Sequence, residues 1–167
     1  LPQGVFKELQ KLHREYLDLT KKLAREKIQL KSTLAEVNPE FASFFSNIFG
    51  RIALALLSIA PTPSEIVKLG HEKLTNIFKT YGNGIIGRKK AEKLFNIMQS
   101  SIAVPNRSFL SLLKRTLQRI SLFRTQIQNV AESLLSMAHP WASKLTIIDG
   151  VDIRPASRFI AELGDPT

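Results

Sequence analysis

The 167 residues carry 24 Lys and Arg against 14 Asp and Glu, a net charge of +10, with 44% apolar residues, 23% charged residues and no cysteine. That length and apolar content allow one ordinary domain with its own core and exclude a disordered or fibrous chain. The lack of cysteine excludes a disulfide scaffold, a thiolate nucleophile and a Cys-based zinc site, and it fits a reducing compartment.

Residues 5–37 read as one helix. Leu9, Tyr16, Leu23, Leu30 and Val37 recur every seven residues, and Val5, Leu12 and Leu19 fill the alternate seam position until Glu26 and Thr33 interrupt it. This 3-4 spacing, with Lys, Arg and Glu between, is the pattern of a coiled coil, and about 33 residues would extend ~50 Å. The chain opens without Met or a signal-peptide pattern and enters this helix within a few residues, as expected of a fragment of a longer protein. Asn38-Pro39 ends the helix, because proline biases the residue before it away from helical backbone.

Residues 41–59 read as a single, more hydrophobic helix with little polar face. Ser43, Ser46, Asn47, Gly50 and Arg51 keep its apolar run short of the about 20 residues that a membrane span needs, so it is expected as a core helix. Pro61-Thr62-Pro63 breaks the chain, Ser64 starts a helical turn over 65–69, and Gly70 closes it. Helix signals resume over 72–79, and Tyr81-Gly82-Asn83-Gly84 marks a loop.

A helix predicted over 88–102 presents Ala91, Leu94, Phe95 and Met98 on one side, and Val104-Pro105-Asn106 breaks it. Residues 108–138 form the second long helix, ~46 Å by the same rise. Leu110, Leu113, Leu117, Ile120, Ile127, Ala131, Leu134 and Ala138 make its apolar stripe, with Arg124 as the polar member. His139-Pro140 is expected to end it, with Trp141 packing where the rod enters the tail. No run shows strand alternation. The expected fold is all-α, a long antiparallel coiled-coil stalk of two long helices capped by several short helices and ending in a truncated helix-hairpin-helix. Two helices cannot bury every apolar residue named, so the seam of Leu9, Leu12, Tyr16, Leu19, Leu23 and Leu30 is expected to join copies of the chain into a homo-oligomer.

Charge is unevenly spread. Residues 1–37 carry +3, 38–107 carry +5, 108–144 carry +4, and 145–167 carry −2. A basic helical body suits a polyanion through counterion release from phosphates; the same charge also makes a solvated surface. His13, His71 and His139 stand far apart with no metal-ligand spacing. Glu8, Glu15, Asp18 and Glu26 lie on a charged helix surface, within reach of Lys or Arg three or four positions away. Asp149 and Asp152 cluster without the further carboxylates that two-metal chemistry requires. With no nucleophile elbow and no phosphate-cradling glycine loop, no active site, metal or cofactor is expected in the chain.

Two constellations suit nucleic acid. One is Gly87-Arg88-Lys89-Lys90 at a helix start, backed by Lys79 and Lys93, where cations adjoin helix-terminal N–H groups; an ordinary solvated helix start reads the same way. The other runs from Leu145 to Ile160. It is an apolar approach, a tight turn through Gly150, and a helix packed by Ala156, Phe159 and Ile160, with Arg154 and Arg158 one turn apart. This spacing resembles that of a helix-hairpin-helix, in which a glycine hairpin offers backbone N–H groups to a DNA phosphate.

The tail, Leu145-Thr-Ile-Ile-Asp-Gly-Val with Ala156 and Phe159-Ile-Ala-Glu-Leu-Gly-Asp165, resembles the start of the C-terminal transposase domain of the bridge-RNA-guided insertion-sequence transposases, which carry a RuvC-like domain at the N-terminus. The resemblance extends back through Thr62-Pro63-Ser64 and Pro39-Glu40-Phe41 to the long helix over 5–37, and forward again to that over 108–138. It implies a coiled-coil and helical linker domain over 1–144 and the beginning of the transposase domain over 145–167. The family's acidic metal ligands would precede Leu1 and its nucleophilic serine would follow Thr167, so no catalytic residue transfers and a divalent metal is expected only in the absent N-terminal domain. Where the family has Pro-Gly-Ile-Gly, this chain has Asp149-Gly150-Val151-Asp152. Asp152 puts negative charge where a phosphate would approach, which favours a packing role for the hairpin, with Arg154 and Arg158 as compensating charge.

The resemblance implies a non-catalytic part of a transposase, acting in protomer assembly and in contact with DNA or guide RNA in a prokaryotic cytoplasm, near the nucleoid. A purely structural dimerisation coiled coil without nucleic-acid contact is the alternative. A membrane-surface protein using residues 41–59 is a third reading.

Overall fold

A computed structural model describes residues 3–82, 87–101, 103, 106–147 and 152–163. Among these residues the fold is all-α, without strands: α1 (Gln3–Val37), α2 (Pro39–Phe44), α3 (Arg51–Ile59), α4 (Pro63–Tyr81), α5 (Gly87–Gln99), α6 (Arg107–Leu145) and α7 (Ile153–Leu163). No single helix among them is long and apolar enough to cross a membrane. The chain divides into two compact units, residues 1–24 with 121–167, and residues 25–120. α7 packs into the same core as α1 and α6.

In the first unit, Leu9 and Leu19 of α1, Val130, Leu134, Ala138 and Ala142 of α6, and Ala156, Ile160 and Ala161 of α7 form one buried cluster. Leu12, Tyr16, Ile127, Trp141 and Leu145 pack around them. This core explains why α6 does not stop at His139-Pro140 as the sequence reading expects. Pro140 has no N–H for the Ser136 carbonyl, but Ser136 and Pro140 are both exposed to water. Ala142 is fully buried, and Trp141 and Leu145 pack on the same core, so apolar burial carries the helix past the proline.

In the second unit, the polar break after α1 is itself buried. Asn38 has no exposed surface; its Oδ1 accepts the Phe41 N–H at 3.2 Å, capping α2, and its Nδ2 donates to the Pro61 carbonyl at 3.4 Å. One side chain thus caps α2 and ties it to the turn before α4.

The single helix expected over 41–59 is two helices. Phe45 is extended, Asn47 Oδ1 accepts the Phe49 N–H at 2.9 Å, and Gly50 caps α3. Asn47 offers the backbone a local partner that competes with helix, and the bend lets Phe45 pack on Phe41 (4.6 Å between centroids) and on Phe78 of α4 (6.2 Å). Thr62, rather than Ser64, caps α4: its Oγ1 accepts the Glu65 N–H while Glu65 Oε2 accepts the Thr62 N–H. The break expected at Gly70 is a kink inside α4, with Gly70 at φ 75°. Helix α5 ends at Gln99, short of the expected Ile102.

The two polar interruptions of the α1 seam have partners. Thr33 is buried and accepts from Gln29 Nε2 at 3.1 Å. Glu26 Oε1 lies 2.8 Å from Arg119 Nε of α6, a pair held by charge and proximity, since the Nε–H is not directed at the oxygen. Arg119 Nη2 also donates to the buried Thr116 Oγ1 at 3.2 Å.

Candidate nucleic-acid interface

Gly87 starts α5 beside α4, where an added Cβ would stand at ordinary contact distance, 3.4 Å from Phe78 Cβ. Ala91, Leu94 and Met98, at helical spacing, bury one face of α5, while Arg88, Lys89, Lys90 and Lys93 are all exposed. The four do not share one face. Lys90 and Lys93 flank the buried stripe on one side, Lys89 stands on the outer surface, and Arg88 falls on the opposite flank with Glu92 one turn on. Lys79 is exposed on α4.

Lys90 and Lys93 border a cleft of about 650 Å³ that also takes in Arg51 from α3, Phe44 from α2, Tyr81 from α4 and Glu40. Its floor is apolar, formed by Phe45, Phe78 and Ile52. At Gly82, which follows Tyr81, no side chain fits: a Cβ would come within 2.5 Å of the Phe78 carbonyl and 3.0 Å of Ile52 Cδ1. Sequence reasoning found the lysines from their run. It missed Arg51, Phe44 and Tyr81, which only tertiary packing brings beside them.

The second candidate belongs to the other unit. Gly150 lies outside the described residues, as do Asp149 and Val151. Asp152 is exposed and works as a helix start: its carboxylate accepts the Ile153 N–H at 2.6 Å and its carbonyl the Ala156 N–H at 3.1 Å. Negative charge is favourable at that end of α7. Arg154 and Arg158 are exposed and border a notch with Tyr16, Gln128 and Glu132. Arg158 is engaged there: its guanidinium carbon stands 4.4 Å from the Tyr16 ring centroid, and its Nη2 donates to Tyr16 Oη at 2.7 Å.

The seam residues are placed inside the chain. Leu9 and Leu30 are fully buried, Leu19 nearly so, and Leu12, Tyr16 and Leu23 are partly covered. Leu9, Leu12, Tyr16 and Leu19 pack on the chain's own α6 and α7. The exposed large apolar side chains are others, among them Leu17, Leu122, Phe159 and Leu163 in the first unit.

Among the described residues no group of three or more His, Asp and Glu side chains is arranged to hold a metal ion. His71 packs on Phe95 at 3.8 Å, and His13 is buried with Nδ1 unbonded. No family model, curated protein or solved structure matches the chain.

Proposed function

We propose that this chain is a non-catalytic, nucleic-acid-contacting segment of a bridge-RNA-guided DNA transposase, working in a prokaryotic cytoplasm near the nucleoid. The observation that carries the nucleic-acid role is the exposed pair Lys90 and Lys93 on α5, joined at one cleft by Arg51 from α3, with Lys89 exposed beside them on the outer surface of α5. Clustered cations on one surface gain affinity for phosphates by displacing counterions. The transposase assignment rests on the tail and helix pattern of the sequence. In this reading α1 and α6 pair antiparallel as a coiled-coil stalk, with α2 to α5 as its cap and α7 as the second arm of a helix-hairpin-helix.

Assembly of protomers is the second part of the proposal. With Leu9, Leu19 and Leu30 buried within the chain, the apolar side chains left for a second copy in the first unit include Leu17, Leu122, Phe159 and Leu163. A purely structural coiled coil is favoured by one observation, the engagement of Arg158 by Tyr16. Titration of labelled DNA and RNA at low salt separates the two. Binding that weakens steeply with salt supports the nucleic-acid role, and no binding at low salt overturns it.

A further inference from the structure

Resting on that nucleic-acid reading, we infer that the cleft between α2, α3 and α5 receives an unpaired base, so that this surface takes single-stranded RNA or DNA in preference to duplex. A surface that only tracks phosphates needs cations and no concavity. Here the cations Arg51, Lys90 and Lys93 rim a cleft of about 650 Å³, within the size range that holds small organic ligands. Phe44 and Tyr81 are available at its edge, partly buried and 42% exposed respectively. Phe44 is held edge-on by Phe45 at 4.9 Å, and Phe45 is in turn stacked on Phe78. The Phe44 ring is therefore packed in place by its neighbours before any ligand arrives, which lowers the ordering cost of binding.

Aromatic faces beside cations are what a single strand uses: bases stack on the rings while the backbone follows the charge. A paired base has both faces covered and cannot enter. The one carboxylate at the cleft fits the same occupant. Glu40 lines the cleft and is partly buried. A carboxylate repels phosphate but accepts from the amino group of a base. The charge pattern thus sets the base toward Glu40 and the phosphates toward Arg51, Lys90 and Lys93.

Fluorescence anisotropy on the full chain tests this with four labelled probes: a single-stranded RNA, the DNA of the same sequence, the corresponding duplex, and an abasic strand of equal length. Both single strands are expected to bind at least tenfold tighter than the duplex or the abasic strand. Tyr81→Ala and Phe44→Ala are each expected to weaken single-strand binding roughly 5- to 150-fold while leaving duplex binding unchanged; Tyr81→Phe keeps the ring and is expected to bind as the parent does. Helical circular dichroism and the melting midpoint of each variant separate lost binding from lost folding. Equal affinity for duplex, abasic and single strands overturns the inference and leaves the basic surface standing. Failure of every probe to bind overturns both.

Discussion

Glu26 and Arg119 stand 2.8 Å apart, on α1 and α6, at the point where the apolar seam of α1 breaks. The glutamate side chain is 18% exposed and the arginine 39%, so the pair lies between a surface ion pair, worth ~0–1 kcal/mol, and a buried one whose desolvation offsets its attraction. Glu26 Oε2 is shielded and unbonded. Removing Arg119 leaves a half-buried carboxylate alone, so Arg119→Ala is expected to cost about 1–2 kcal/mol. The double replacement Glu26→Leu with Arg119→Met is expected to cost less than Arg119→Ala, since it leaves no unpaired carboxylate, while the loss of the donor to the buried Thr116 Oγ1 is common to both. Urea unfolding of the two single variants and the double variant measures both.

Asn38 makes two hydrogen bonds from a fully buried position. Asn38→Ala removes the α2 cap and leaves the Pro61 carbonyl and the Phe41 N–H without their partner, for an expected loss of about 2–3 kcal/mol. Asn38→Asp keeps the acceptor and loses the donor to Pro61, so it is expected to retain the cap and still unfold earlier than the parent. The midpoint of chemical unfolding orders the three proteins.

Two glycines fail for different reasons. At Gly82 the obstacle is space, because a Cβ meets the Phe78 carbonyl at 2.5 Å, a backbone atom that cannot swing aside. At Gly70 there is room within 4 Å, and the obstacle is φ 75°. Gly82→Ala is therefore expected to cost over ~2 kcal/mol, in the range of overpacked cores, and Gly70→Ala about 1–2 kcal/mol. Gly70→Asn is expected to cost less than Gly70→Ala, since asparagine tolerates positive φ, whereas Gly82→Asn is expected to be the worst of the four. Thermal melts of the set check the order.

Pro140 sits inside α6 without an N–H for the Ser136 carbonyl. Pro140→Ala restores that hydrogen bond in an exposed turn, and stability is expected to rise by about 1 kcal/mol or more. A fall would show that the proline's rigidity in the unfolded chain outweighs the missing bond. Calorimetry gives the sign.

The long helices were legible because their apolar residues repeat over many turns, so local errors average out: α1 is observed over Gln3–Val37 against an expected 5–37. Short-range chemistry was less so. The helix read across 41–59 is cut where Asn47 and Gly50 offer an alternative to it, and the proline read as the end of α6 is overridden by Ala142 and its neighbours in the core. Glu26 looked like a defect of the seam because its partner is some ninety residues away in sequence. The basic run at 88–90 was plain in the sequence, whereas the cleft was hidden: it assembles Arg51, Phe44 and Tyr81 from three helices, and no spacing rule links them.

The central claim is that α5 carries a phosphate-binding surface, and the salt dependence of binding tests it most directly. With a single-stranded oligonucleotide titrated across salt concentrations, the parent chain is expected to show a linear fall of log K with log salt. The variant Lys89→Gln, Lys90→Gln, Lys93→Gln is expected to show a slope shallower by about 2, since each lost phosphate contact removes roughly 0.7 for a single strand. All three side chains are exposed and form no ion pair with an acid among the described residues, so the fold is expected to survive. An identical slope in a folded triple variant, or no salt-dependent binding by the parent, would contradict the account.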